Sequence, residues 1–166
     1  MSGPPSFQEA KHKREKARAA GMDPNYWYAV ELSTSLDKGQ IKRTTFWGTH
    51  AALYRDDSGV VRCVEDRCAH RHVPLSIGEV KGERIVCQYH GWEYDKEGKL
   101  ADVPHDLFGM KMPVCRLRTY PVKERYGLIW VFWGDAENAE NVPMPVSYTH
   151  LRAHETKANL VCRLLL

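Results

Sequence analysis

The most restrictive feature of this chain is the spacing of four side chains. Cys68 and His70 stand one residue apart, Cys87 and His90 two apart, and sixteen residues separate the pairs. Each pair follows a strand-like run and opens a segment carrying residues that break regular structure, Pro74 and Gly78 in the first and Gly91 in the second. Four nitrogen and sulfur donors in two pairs suit either one zinc ion or an iron–sulfur cluster. A zinc pair usually keeps two to four residues between its ligands, so that both reach one tetrahedral ion. Cys68-x-His70 is tight for that. It is comfortable if cysteine and histidine go to different irons, each segment giving one thiolate to one iron and one imidazole to the other.

The rest of the composition agrees with metal ligation. Five cysteines is an odd number in 166 residues, and two of them stand near histidines, which favours ligands over a disulfide framework. The N-terminus lacks the apolar core of a secretory signal, and the longest apolar run, "GLIWVFWG", is far too short to span a bilayer. A cytoplasmic, reducing compartment is the expectation. Net charge is +3, which demands no polyanionic partner, so neither nucleic acid nor membrane is expected. The one basic run, Lys11 to Arg18, reads as a solvated helix or frayed arm, without the interleaved aromatics of a single-strand-binding surface.

A polar arm over residues 1–24, with a helix expected from Gln8 to Ala20, precedes a change of texture after Pro24. From there, "NYWYAVEL", "QIKRTTFW", "HAALYR", "VVRCVE", "RIVCQY" and "GWEY" read as strands, separated by turns at Asp56–Gly59, Lys81-Gly82 and Asp95–Gly98. Two more strands flank Tyr126-Gly127, and "GLIWVFWG" has the pattern of a strand buried on both faces. Many short strands at hairpin spacing predict a mainly β, antiparallel sandwich or small barrel. Cys63 and Cys115 read as small hydrophobes, His72 as a rim residue of the first segment, His12 as part of the basic arm, and His50 and His105 as unassigned.

C-x-H-x16-C-x2-H followed by Gly91-Trp92 resembles the Rieske signature. The stretch from Asp66 to His105, with "YWYAVEL" before it and "YPVKERYGLIWVFWGD" after it, resembles the N-terminal Rieske domain of the large subunit of bacterial aromatic-ring-hydroxylating oxygenases. The resemblance implies a Rieske-type β-sandwich over residues 25–135 with a cluster-binding subdomain made by two loops, preceded by the short helix. It implies a [2Fe–2S] cluster on Cys68, His70, Cys87 and His90, the cysteines on one iron and the histidines, facing solvent or a partner, on the other. Trp92 and Leu75 are expected to cover the cluster, and loop N–H groups to donate to its sulfides. High-potential Rieske proteins carry an extra cysteine in each loop and a serine after His-Gly; this chain has Val73, Gln88 and Trp92 there. Fewer hydrogen bonds to sulfur imply a low potential, on the order of −150 mV.

The resemblance further implies the electron-transfer part of a terminal oxygenase. NAD(P)H-derived electrons would arrive from a reductase or ferredoxin and pass to a mononuclear Fe(II) for O2-dependent hydroxylation or demethylation of an aromatic or related ring compound. That iron belongs to a catalytic domain expected beyond a linker at 136–145 and outside this chain, so the fragment alone is expected to be inactive on substrate. A homo-oligomer, a trimer, is expected of the full-length protein. The competing reading is a stand-alone Rieske ferredoxin, against which the leading arm and the trailing strands argue. The tail holds His150, His154 and Glu155, types that suit an iron site. Yet "VSYTHLRAHET" and "LVCRLLL" resemble translated sequencing adapter flanking a sample index, so 146–166 is expected to be no part of the fold, leaving Cys162 out of the account.

Overall fold

The β-branched and aromatic runs resolve into ten strands in the structure, a computed structural model that describes residues 6–104 and 111–145. In chain order they are β1 (Trp27–Leu32), β2 (Ile41–Phe46), β3 (Thr49–Arg55), β4 (Val61–Glu65), β5 (Glu79–Lys81), β6 (Arg84–Val86), β7 (Glu93–Tyr94), β8 (Leu100–Asp102), β9 (Val122–Arg125) and β10 (Leu128–Phe132). All pairings between them are antiparallel, in three sheets ordered β1-β10-β9, β2-β3-β4 and β5-β6-β7-β8. Register between β1 and β10, Trp27 opposite Phe132, joins the two ends of the domain. The β2–β3 and β9–β10 hairpins turn on Trp47-Gly48 and Tyr126-Gly127, with positive φ at both positions of each pair. That backbone matches the right-handed twist of the flanking strands.

Alternation along β3 explains how the sheets stack. Ala51 and Leu53 face one core with Phe46, Ile129, Val131 and Trp133, so the first two sheets form a sandwich. Ala52 and Tyr54 face the opposite way, into a second core with Val64, Leu75, Ile85, Trp92, Tyr94 and Leu100, where the third sheet docks. Strand β10 is buried at all five positions, as its composition predicts. Ile129 and Val131 enter the sandwich, while Leu128, Trp130 and Phe132 enter a third core on the outer face of that sheet. The chain after β10 folds back over this face. Ala139 is buried there, Val142 and Met144 pack beside it, and the Trp27 indole N–H donates to the Val142 carbonyl at 3.2 Å.

Two differences from the sequence reading concern the N-terminus and the strand ends. Helix α1 spans Lys13–Ala19, shorter than expected, because Ser6 and Glu9 close a separate turn before it. The basic run is a helix with Lys13, Arg14 and Lys16 exposed, as the solvated-helix reading expects, but it is no frayed arm: Ala17 is fully buried in the sandwich core, and Arg14 makes a two-pronged pair with Asp135 at 2.7 and 3.1 Å. The run "RIVCQY" is strand only through Val86, since Cys87 begins a tight loop. No helix among the described residues is long and apolar enough to cross a membrane.

Charged staples hold the third sheet together and to the sandwich. Arg62 donates to Asp56 at 2.7 Å and to Glu83 at 3.0 Å, linking β4 to the β5–β6 turn. Within the third sheet the buried Glu93 carboxylate accepts from Lys81 at 2.6 Å and Arg84 at 2.8 Å. Lys81, then Arg84, hold its pKa below the usual 4.5 against the opposing effect of burial. A depressed carboxylate pKa gives stability that is complete above the unfolded value and is lost as pH falls through the folded one. Glu93→Gln is therefore expected to unfold about 1–2 kcal/mol more easily than wild type at pH 7, by a deficit that shrinks as pH falls through the folded pKa of Glu93. Urea titrations at pH 7 and at successively lower pH measure this, and a deficit that does not change with pH would contradict it.

Candidate metal centre

The two cysteine–histidine segments are the same turn built twice. In the first, the Cys68 N–H donates to the Val73 carbonyl, and the His72 N–H donates back to the Cys68 carbonyl, both at 2.9 Å. In the second, the Cys87 N–H donates to the Trp92 carbonyl, and the Gly91 N–H to the Cys87 carbonyl, again at 2.9 Å. The fourth residue after each cysteine takes positive φ, +58° at His72 and +67° at Gly91. Gly91 is glycine for a second reason: a Cβ would sit 2.7 Å from Pro104 Cγ. The loops differ in where the histidine falls, two residues after Cys68 and three after Cys87. His72, read as a rim residue, is exposed and serves this turn.

Each loop is anchored differently. The Asp66 side chain, fully buried, accepts from the Ser76 N–H at 2.6 Å, the Ser76 hydroxyl at 2.8 Å and Arg43 Nε at 2.6 Å. One carboxylate thus closes both ends of the first loop and ties it to β2. The second loop runs between β6 and β7, which pair directly through Val86 and Glu93.

Within this frame the four residues meet with a clear polarity. Cys68 and Cys87 are buried in the second core, and neither is in a disulfide. The imidazoles of His70 and His90 lie 4.7 Å apart between ring centroids, His70 half-buried and His90 exposed. Burial pushes the Cys87 thiol pKa up, as does the adjacent Cys68 thiol, while the N–H groups of Tyr89 and His90 aim at the sulfur and oppose the rise. Loop N–H groups directed at sulfur are what a thiolate ligand needs. The sulfurs therefore face the interior and the imidazoles the surface. Among the described residues, no three His, Cys, Asp or Glu side chains converge on a point suited to one ion. A two-and-two division over two irons needs only a pair at each.

Two residues that the sequence reading left unassigned or only partly described complete the wall. Tyr94, fully buried, takes the Ala69 N–H on its phenol oxygen at 3.0 Å and lies 3.1 Å from Cys68 Sγ. Against a metal-bound thiolate, which carries no proton, the phenol would be the donor of this contact. Tyr94→Phe removes that donor and is expected to lower the midpoint potential of the loaded protein by about 50 mV, since 59 mV is tenfold for one electron. Redox titration of the two proteins is the measurement. Trp92, expected as a cover, is 8% exposed and stacks on His70, with centroids 4.6 Å apart and planes 5° from parallel. Its Nε1–H is buried and finds no acceptor among the described residues. The site thus fits a [2Fe–2S] group, with paired thiols inside, paired imidazoles outside, and a donor left unmet among the described residues. Leu75 is fully buried in the same core.

The remaining candidates lie elsewhere. Cys63 is buried in β4, and Cys115 is half-buried against the second core. His50 has a partner after all, Thr45 Oγ1 at 3.0 Å, and His12 pairs with Glu15 at 3.4 Å at the start of α1. His105 and the tail residues His150, His154, Glu155 and Cys162 lie outside the described residues.

Comparison with known proteins agrees with this geometry. The 4beta-methylsterol monooxygenase of Methylococcus capsulatus (strain ATCC 33009 / NCIMB 11132 / Bath) is 47% identical over 135 residues, covering 80% of this chain and 37% of that protein. The 3-chlorobenzoate-3,4-dioxygenase oxygenase subunit of Comamonas testosteroni is 33% identical over 147 residues, covering 86% of this chain and 33% of that subunit. Among solved structures, dicamba monooxygenase superposes with a TM-score of 0.67 at 35% identity, over 74% of this chain and 38% of that one. The chain thus spans little more than a third of the length of these oxygenases. The Rieske [2Fe-2S] domain profile matches residues 26–121, which take in both loops and strands from all three sheets, and the chain belongs to that family.

Proposed function

We propose that this chain is the electron-transfer domain of a Rieske oxygenase. The observation that carries the reading is the polarity of the site, two thiols in the core and two imidazoles at the surface. Cys68 and Cys87 would hold one iron of a [2Fe–2S] cluster and His70 and His90 the other, the cluster supplying a one-electron store when bound. The polypeptide's part is to exclude water from the sulfur side through Leu75, Ile85 and Tyr94, and to direct the N–H groups of Tyr89 and His90 and the Tyr94 hydroxyl at sulfur. The exposed His90, with the Tyr89 ring 3.9 Å away, gives the iron-side edge a short path to a partner.

The whole protein would take NAD(P)H-derived electrons from a reductase or ferredoxin, in the cytoplasm, as a homo-oligomer of trimeric type. It would deliver them to a mononuclear iron in a further domain, for O2-dependent hydroxylation or demethylation of an aromatic or related ring. The identity to a methylsterol monooxygenase supports the wider ring class as much as the aromatic one. Anaerobic reconstitution of the 166-residue chain with iron and sulfide tests the reading. Expected are a reduced-state EPR signal with nitrogen coupling from two histidines and a midpoint on the order of −150 mV. A colourless protein holding one zinc ion, or a midpoint above zero, would overturn it.

A further inference from the structure

Beyond the four ligands, Trp92 carries a contact from one loop to the other at the ligand itself. Trp92 belongs to the second loop and packs flat on His70 of the first, with ring planes 5° from parallel and centroids 4.6 Å apart. No other ring contact at the site is so nearly parallel: His70 and His90 meet at 59°, and Tyr89 and His90 at 40°. Trp92 is itself immobilised. Its carbonyl accepts from the Cys87 N–H, and the next residue, Glu93, is pinned by Lys81 and Arg84. Its indole is buried although its N–H finds no acceptor among the described residues. A phenylalanine would fill a core position without that unmet donor.

An imidazole ligand has a broad torsion about its Cβ–Cγ bond, and turning it swings the ring nitrogens about that bond. A flat aromatic neighbour resists that rotation, since turning the imidazole drives its edge into the facing ring. We propose that Trp92 is a positioning residue for His70, fixing the plane of this imidazole from the opposite loop, while His90 has only the tilted contact with the exposed Tyr89. The inference rests on the cluster reading of the four ligands. It predicts that the two histidines are unequal: His70 is held in one ring orientation and His90 samples several.

The test uses the full chain in two forms. In the metal-free protein, NMR should show the His70 ring protons shifted upfield by the indole ring current. The shift should be smaller in Trp92→Phe and absent in Trp92→Leu, with the His90 resonances unmoved. In the reconstituted, reduced protein, electron-nuclear double resonance should show one sharp and one broad histidine nitrogen coupling. Trp92→Leu should broaden the sharp one, and Trp92→Phe should restore most of its sharpness. An unshifted His70 in wild type overturns the inference whether or not the variants fold, as does a nitrogen pattern unchanged in Trp92→Leu. If the ring-current shift appears but no [2Fe–2S] signal forms, the cluster reading fails while the stacking geometry stands, and the role in ligand positioning falls with it.

Discussion

A protein carrying His70→Cys and His90→Cys together is expected to keep a [2Fe–2S] cluster and to lose at least about 250 mV of midpoint potential, moving from near −150 mV towards the −400 mV of all-cysteine ferredoxins. The reason is charge. Two neutral imidazoles become two thiolates at the iron that receives the electron, and added negative charge disfavours reduction. The exposed position of His90 favours the experiment, since a shorter side chain there leaves no cavity in the core. Nitrogen couplings should vanish from the reduced EPR signal at the same time. Replacing Cys68 or Cys87 by alanine should instead abolish the cluster, because each removes half of the buried sulfur pair. A double histidine variant with an unchanged midpoint would show that the imidazoles are not ligands.

The second large effect is expected at a residue that touches no ligand. Asp66→Ala removes a fully buried carboxylate and leaves the Ser76 N–H, the Ser76 hydroxyl and Arg43 without their acceptor. Breaking a buried, hydrogen-bonded ion pair from one side costs about 3–5 kcal/mol. Arg43 is 45% exposed and can turn to water, so about 3 kcal/mol is expected in a denaturant titration. The loss should fall unevenly on the molecule. Cys68 and His70 sit between the two points that Asp66 joins, so a chelator should strip iron from the variant at least tenfold faster than from wild type. Asp66→Asn should recover part of both losses, since its amide oxygen still accepts one of the donors.

How much of this was legible in the sequence depends on the range of the interaction. Strands with a strong apolar pattern, above all Leu128–Phe132, stood out because burial on both faces demands a continuous apolar run. Strands β5 and β8 did not, being three residues each with charged members, "EVK" and "LAD", that pair only because β6 and β7 lie between them. The docking of the basic N-terminal helix was missed for a related reason. Its charges are visible locally, while the pocket that takes Ala17 is made by residues tens of positions away. At the site, the spacing of Cys68, His70, Cys87 and His90 marked the two loops that the structure brings together. Tyr94 and Asp66 were not legible, since each acts across a distance in sequence, Tyr94 on Ala69 and Asp66 on Arg43 and Ser76. The repeated turn around Cys68 and Cys87 was hidden because histidine and glycine fill the same positive-φ place.

The segment that lies over Trp27 has a consequence for tethering. A ten-residue flexible joint would let its far end wander over about 15–20 Å. Here residues 136–145 are spent against the sheet, with Ala139 buried and Val142 held by the indole N–H. The chain therefore leaves this domain from a set place and with little slack. Cutting the Trp27–Val142 contact would lengthen the leash without altering the site itself.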